Sequence, residues 1–408
     1  MRTRPAADEG SGPSAVLLIV LGVVLAAGGA MAALLVGGGG ASPEAPTTTS
    51  QQASPTTTTT LDDAPPARDE LLEAVEELSA FVEEERGLPF LDEVDVELLD
   101  DEAFRRRLLD DVVADREELQ TTAALLRALR LLDDGVDLEA VLLSFLGDAV
   151  VGFYDSDTSE LVLRGAEVSP YVRSTLVHEL THALDDQHFG LDRPELDDAD
   201  DESAFAFLSL VEGSAVRVEQ AWVATLSSDE RRRLQVEELA LGAGIDLESV
   251  PPVVPQLIAF PYVVGPRFVD VLLDEGGNDR LDAAFEDPPT TSAQILRPEL
   301  YLAGVGAVPV PVPPPEGPVV DEGAFGLWSA MLTLESAVPA AAVRDVVETW
   351  TGDSFVAWED RGRTCLRAAF ASDDGGDAML RAWDRWASGH PDATVGRTGD
   401  LVTMTACG

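Results

Sequence analysis

Apolar residues return every three or four positions over much of the chain. Leu71, Leu72, Val75, Leu78, Phe81 and Val82 form the first such series, and residues spaced this way line one helix face and turn it towards a core. Similar series over 104–113, 123–132 and 138–146 predict a helix-rich start to the folded region. Elsewhere the period shortens towards two. Residues 93–99 alternate loosely and read as a strand, and 149–154 and 160–164 are β-rich runs flanking Asp155, Ser156, Asp157, Thr158 and Ser159, the pattern of a hairpin. Helical windows then follow at 169–190, 204–222 and 231–240, with another opened by Phe260 and Pro261 and running to Leu273. Their ends are marked: Ser169 suits an N-cap, Pro170 the first turn and Gly190 the stop, while Ser227 and Glu230 have the spacing of a capping box.

Residues 308–318, VPVPVPPPEGP, carry too much proline for a helix or a central strand and read as an extended connector. Beyond them, helix-like 323–334, 340–349 and 377–387 mix with strand-like 354–358, 363–369 and 401–406, a small α+β unit over 319–408. Trp350, Trp358, Trp383 and Trp386 are assigned to its core, with no cofactor role. Together these patterns predict an α+β protein with a helix-rich domain holding a small β-sheet over 67–307.

Residues 15–36 form one uncharged apolar run long enough to cross a bilayer as a helix. Arg2 and Arg4 precede it and no basic residue follows before Arg68, so residues 1–14 are expected in the cytoplasm and the rest outside. A cleaved signal peptide, with Ala30, Met31 and Ala32 as the small-residue site, is the competing reading. The apolar run continues past that point through Leu34, Leu35 and Val36, which favours a single-pass anchor in the cell membrane. Residues 37–66, built from Gly, Thr, Ser, Pro and Gln, read as a tether. In an oxidising exterior the two cysteines, Cys365 and Cys407, are expected to pair.

Charge narrows the partners. There are 75 acidic against 27 basic residues, a net charge of −48, and every basic side chain is arginine, which argues against a nucleic-acid partner. No nucleotide cofactor is expected either. The acidity reads as a solvated surface, although it also favours basic peptides.

Histidine is scarce, with four in the chain, and three of them fall within 169–190. His178 and His182, four apart, lie on one helix face and can reach one metal ion, while Glu179, about 100° round, can reach the attacking water. This is the H-E-x-x-H arrangement of a zinc site. A third ligand is expected from the second apolar helix, where a carboxylate amid hydrophobic residues is costly unless it is paired or bound to metal. Glu212 and Glu219, two turns apart on that helix, both qualify. Gly213, Ser214 and Ala215 are small enough to let this helix approach the histidine helix closely. One Zn2+ per chain is expected, with three protein ligands and one position left open.

The HELTHA segment with its downstream glutamate resembles the thermolysin-type zinc peptidases, the gluzincins. From about residue 71 to the end, the chain also resembles a group of bacterial membrane-anchored proteins that share HELTHALxDQHF and LVEGxA, here 178–189 and 210–215. The resemblance implies a zincin-like metallopeptidase domain with Glu212 as the third ligand and a strand before the zinc helix that pairs with extended substrate. On that basis Val162 and Leu163 are candidates to receive a peptide. Thermolysin-like enzymes carry an Asp four residues after the ligand Glu to orient the first histidine; Val216 stands there instead. Asp186 is the candidate replacement, and Asp185 and Gln187 are assigned structural or solvated places. Tyr262 is the candidate donor to the developing oxyanion, with Tyr301 and His188 as rivals, and His188 is not counted as a ligand.

The resulting expectation is a membrane-anchored zinc metallohydrolase, a peptidase acting on peptide or protein substrate outside the membrane. Glu179 is its base and His178, His182 and Glu212 are its ligands. Two other functions fit the same residues: a zinc-stabilised envelope scaffold without turnover, and an amidase acting on cell-wall peptide.

Overall fold

The computed structural model describes residues 65–114, 116–165, 167–193, 196, 201–244 and 249–408. The predicted cytoplasmic tail, the 15–36 anchor and nearly all of the 37–66 tether lie outside these residues; Pro65 and Pro66, given to the tether, open the first helix. The fold is α+β, with helices dominant.

The helix-rich part begins with α1 (Pro65–Arg86), strand β1 (Asp95–Leu99), α2 (Asp101–Ala114), α3 (Arg116–Ala128) and α4 (Leu138–Ala149). The predicted hairpin follows as β2 (Gly152–Asp155) and β3 (Glu160–Arg164). Asp155 shapes its turn by accepting from the N–H groups of Asp157 and Thr158. Next come α5 (Pro170–Phe189), α6 (Asp201–Thr225), α7 (Ser228–Gly244), α8 (Val253–Gly276), α9 (Asn278–Glu286), α10 (Ser292–Leu296) and α11 (Pro298–Leu302).

The first sheet has the order β1-β3-β2, with β1 parallel and β2 antiparallel to β3. This corrects one expectation. Val162 and Leu163 lie in the central strand, already paired with Glu97 and Leu98 on one side and with Phe153 and Gly152 on the other. They cannot receive a peptide, because their main-chain groups face strands on both sides. The outer edge next to α5 belongs to β2. Since Arg164 donates to the Val151 carbonyl, alternation turns the main-chain groups of Gly152 and Tyr154 outward.

The predicted ends of α5 form as read: the Ser169 hydroxyl accepts from Val172 N–H, Pro170 opens the helix and Gly190 ends it at φ 69°. The capping box of α7 also forms, Ser227 N–H donating to Glu230 and Glu230 N–H to the Ser227 hydroxyl. Helix α8 starts at Val253, seven residues before its sequence-predicted opening, and runs through Pro261 and Pro266. It is the one helix among the described residues that is long and apolar enough to span a membrane. Here its apolar face is buried, with Phe260, Tyr262, Phe268, Val269 and Leu272 in the core.

Gly213 and Gly265 face each other where α6 meets α8, and a methyl group at either would collide with the other helix's backbone. The small residues of α6 therefore divide their task. Gly213 seats α6 on α8, whereas Ser214 faces α5 and donates to Asp185 at 2.8 Å. A buried ion pair locks this layer: Arg86 at the end of α1 is 2.7 Å from Asp185 and 3.0 Å from Asp282 of α9.

The C-terminal part is built on a five-stranded antiparallel sheet, β4 (Val319–Gly323), β5 (Trp350–Asp360), β6 (Arg363–Ser372), β7 (Thr394–Thr398) and β8 (Leu401–Cys407), in the order β4-β5-β6-β8-β7. Helices α12 (Leu327–Glu335), α13 (Ala340–Thr349) and α14 (Asp377–Ala387) accompany it. Trp350, Trp383 and Trp386 are buried in its main core, and Trp358 packs with Val356 and Cys365 in a separate small cluster. The proline-rich connector is bound along the sheet: Val308 N–H reaches Thr351, and the Pro311 and Pro318 carbonyls accept from Ser354 and Glu359 of β5. Cys365 and Cys407 face each other across β6 and β8 and form a disulfide.

Candidate metal centre

The site forms where α5, α6, α8 and the edge of β2 converge. His178, Glu179, His182 and Glu212 are all fully buried, at 0% exposure. One turn of α5 separates the two imidazoles, whose ring centroids are 4.7 Å apart. Glu212 approaches from α6. Its Oε2 is 3.1 Å from His178 Nε2 and 3.6 Å from His182 Nε2, and one donor atom from each of the three residues fits within a 4.8 Å span.

These separations suit a metal. Donors at zinc distances on a tetrahedron stand about 3.3 Å apart. Both nitrogens of His182 and Oε1 of Glu179 are buried without any hydrogen-bond partner, a costly condition for polar atoms that a bound ion would relieve at one of the His182 nitrogens. His178, His182 and Glu212 are the three-residue group among the described residues able to hold an ion. Three protein ligands leave a coordination position open, as catalytic zinc sites do, whereas structural sites close with four.

Each functional group is held by a specific neighbour. The Tyr262 hydroxyl donates to Glu212 Oε1 at 2.8 Å, and its ring stacks on His178 with centroids 6.0 Å apart. Tyr262 therefore reaches the site through the ligand carboxylate. The Tyr154 N–H, on the outward edge of β2, donates to Glu179 Oε2 at 3.0 Å, so one oxygen of the candidate base is fixed and the other is free. His178 Nδ1 lies 3.3 Å from Glu219 Oε2, and Glu219 Oε1 accepts from the Ser174 hydroxyl at 2.7 Å.

The electrostatics follow from three carboxylates packed around two imidazoles. Burial works against a charged His178, but its bonds to Glu212 and Glu219 and the charge of Glu179 raise its pKa well above the ordinary value. Burial lowers the pKa of His182. For Glu212, burial is outweighed by His182 and the bond to His178, so its pKa falls. Glu179 moves the other way. Burial pushes its pKa well up, reinforced by Glu212 and Glu219 and opposed by His178 and the Tyr154 N–H. A metal ion bound here displaces the proton of His178, since ligand imidazoles are neutral.

Several expected places are corrected. Asp186 does not serve His178: its two oxygens accept from the Tyr154 hydroxyl and Leu191 N–H, each at 2.7 Å, fastening β2 and the end of α5. The acceptor is Glu219, considered in the sequence only as a rival ligand. Asp185 and Gln187 have the structural places expected of them, Asp185 as the buried partner of Arg86 and Ser214 and Gln187 bonding the 91–92 main chain. His188 bonds the Pro89 carbonyl and Tyr301 the Asp287 carbonyl, so neither reaches the site through these groups. Tyr154 and Ser174 went unread, although Ser174 precedes His178 by four positions and so shares its helix face.

Comparison with known proteins returns no match: no family model, no curated protein and no solved structure matches the chain.

Proposed function

We propose that the protein is a zinc-dependent metallohydrolase acting on peptide bonds, with a zincin-like catalytic domain held outside the cell membrane by its 15–36 segment. One observation carries the reading: two histidines and a glutamate bring one donor atom each within 4.8 Å of one another in the buried interior, beside a glutamate with one oxygen fixed and one free. His178, His182 and Glu212 would hold the zinc ion, which when bound would supply Lewis acidity towards the scissile carbonyl and the attacking water. Glu179 is the base. Its free Oε1 takes the water's proton and later passes it to the leaving amine, while the Tyr154 N–H keeps the carboxylate aimed.

The test is metal analysis and peptide-library digestion of the full-length chain in mild detergent, beside Glu179→Gln. About one zinc per chain and peptide cleavage are expected from the parent. The variant should keep the zinc and lose turnover by a factor of about 10² or more. Equal cleavage by both proteins would remove Glu179 as the base. Zinc without cleavage in either protein, over a broad library, would favour the scaffold.

A further inference from the structure

We propose that Glu219 is a positioning residue of the metal centre, fixing the ring orientation and tautomer of His178 from a place two helical turns beyond Glu212. The inference rests on the assignment of His178, His182 and Glu212 as metal ligands. An imidazole that binds metal through Nε2 carries its proton on Nδ1, and that N–H needs an acceptor to hold the ring in plane with the ion. Position 216, one turn from Glu212, offers none, because Val216 is apolar and buried in the core.

Geometry supplies the acceptor further along. Seven residues of α-helix rise about 10.5 Å and return to nearly the same face, so Glu212 and Glu219 both look from α6 onto α5. The His178 ring fits between them, Nε2 towards Glu212 at 3.1 Å and Nδ1 towards Glu219 at 3.3 Å. Glu219 is itself held, since its second oxygen takes the Ser174 hydroxyl at 2.7 Å. Ser174 and His178, four residues apart on α5, thus grip one carboxylate from the same face.

Glu219 is only 7% exposed. A carboxylate so buried is costly unless both oxygens are satisfied, and here each finds its partner on the helix that carries the histidines. No equivalent stands behind the second ligand, because His182 Nδ1 has no hydrogen-bond partner among the described residues. Of the two imidazoles, that of His178 alone has a carboxylate facing its Nδ1 among the described residues.

The experiment measures zinc affinity by chelator competition on the full-length chain in detergent, together with the visible spectrum of the cobalt-loaded protein and the unfolding midpoint without metal. Glu219→Ala should weaken zinc binding about 10- to 100-fold, the usual cost of losing the partner behind a ligand, and should shift the cobalt bands. Glu219→Gln keeps an acceptor for Nδ1–H and should recover part of that loss. Ser174→Ala frees one oxygen of Glu219 and should fall between the parent and Glu219→Ala. If both Glu219 variants bind zinc as the parent does, with unchanged cobalt spectra, Glu219 is not the brace while the ligand assignment stands. If both lose affinity equally, without recovery in Gln and in step with a fallen unfolding midpoint, the role is structural and the proposal is overturned. A folded parent that binds no zinc overturns the ligand assignment and this inference with it.

Discussion

Tyr262 illustrates how one side chain changes meaning between sequence and structure. As an isolated tyrosine near a zinc motif it is a natural donor to an oxyanion, yet its hydroxyl lies on Glu212, the carboxylate proposed as a ligand. The two roles separate experimentally. A hydrogen bond to a charged group is worth about 1.5–3 kcal/mol, so Tyr262→Phe should weaken zinc binding about tenfold or more, measured by chelator competition. An oxyanion donor would instead leave zinc affinity alone and lower kcat by about 10²–10³, and that outcome would restore the sequence reading. His178, Glu179 and His182 were legible because their spacing alone sets a helix face. Glu219 was legible only as an alternative: spacing places it on the face of Glu212, but which of the two meets Nε2 and which Nδ1 depends on the relative height of α5 and α6. Gly213, Gly265 and the Arg86–Asp185 pair help set that height across four helices, α1, α5, α6 and α8.

Among the elements, those with strong local signals were read correctly, and those defined by tertiary contact were not. The cap residues of α5 and α7 and the β2–β3 turn act within a few residues of themselves. Strands β4 and β7, Val319–Gly323 and Thr394–Thr398, are short edge strands with mostly exposed or half-buried residues, so neither presents an apolar face to a pattern search. That β3 is central, and so closed to substrate, is likewise a fact of pairing with β1 across some sixty residues of chain. Helix α7 makes a testable contribution of its own. Glu237 accepts from Tyr171 N–H at the start of α5, while Glu238 is pushed up to about 7 by burial and by the charge of Glu219. The folded chain thus holds the Glu238 proton to higher pH than the unfolded chain, whose carboxyl titrates near the ordinary 4.5. Stability from this group is complete below pH 4.5, declines as pH rises and is spent above about 7. Glu238→Gln removes that decline. Relative to the parent, denaturant unfolding should show the variant gaining on the order of 1 kcal/mol between pH 5 and pH 8, after allowance for the solvent around this half-buried group. A difference that stays constant across the range would dismiss the raised pKa.

At the scale of the whole molecule, the metal centre and the C-terminal sheet occupy different cores. The site lies among α5, α6 and α8, while the sheet closes over α12, α13 and α14 and takes in Ala128 and Leu129 from the end of α3. Contact at α3 and the bound connector make the sheet part of the same body, with the Arg130 side chain reaching the Cys407 carbonyl. Two cysteines, an expected exterior location and strand-like surroundings made the disulfide legible, and the register of β6 against β8 places the pair opposite each other. The bridge spans 42 residues of sequence, and closing a loop of that size in the unfolded chain is worth about 4 kcal/mol in the chain-entropy account. Cys365→Ser with Cys407→Ser should therefore lower the stability of the C-terminal sheet by about 2–4 kcal/mol, read as an earlier denaturant midpoint. Zinc content and affinity should stay at the parent's level, because none of the groups at the metal centre belongs to β6 or β8. A variant that unfolds at the parent's midpoint would mean that the bridge does not constrain the chain. One that loses zinc in step with its fall in stability would mean that the two cores unfold as a single cooperative unit.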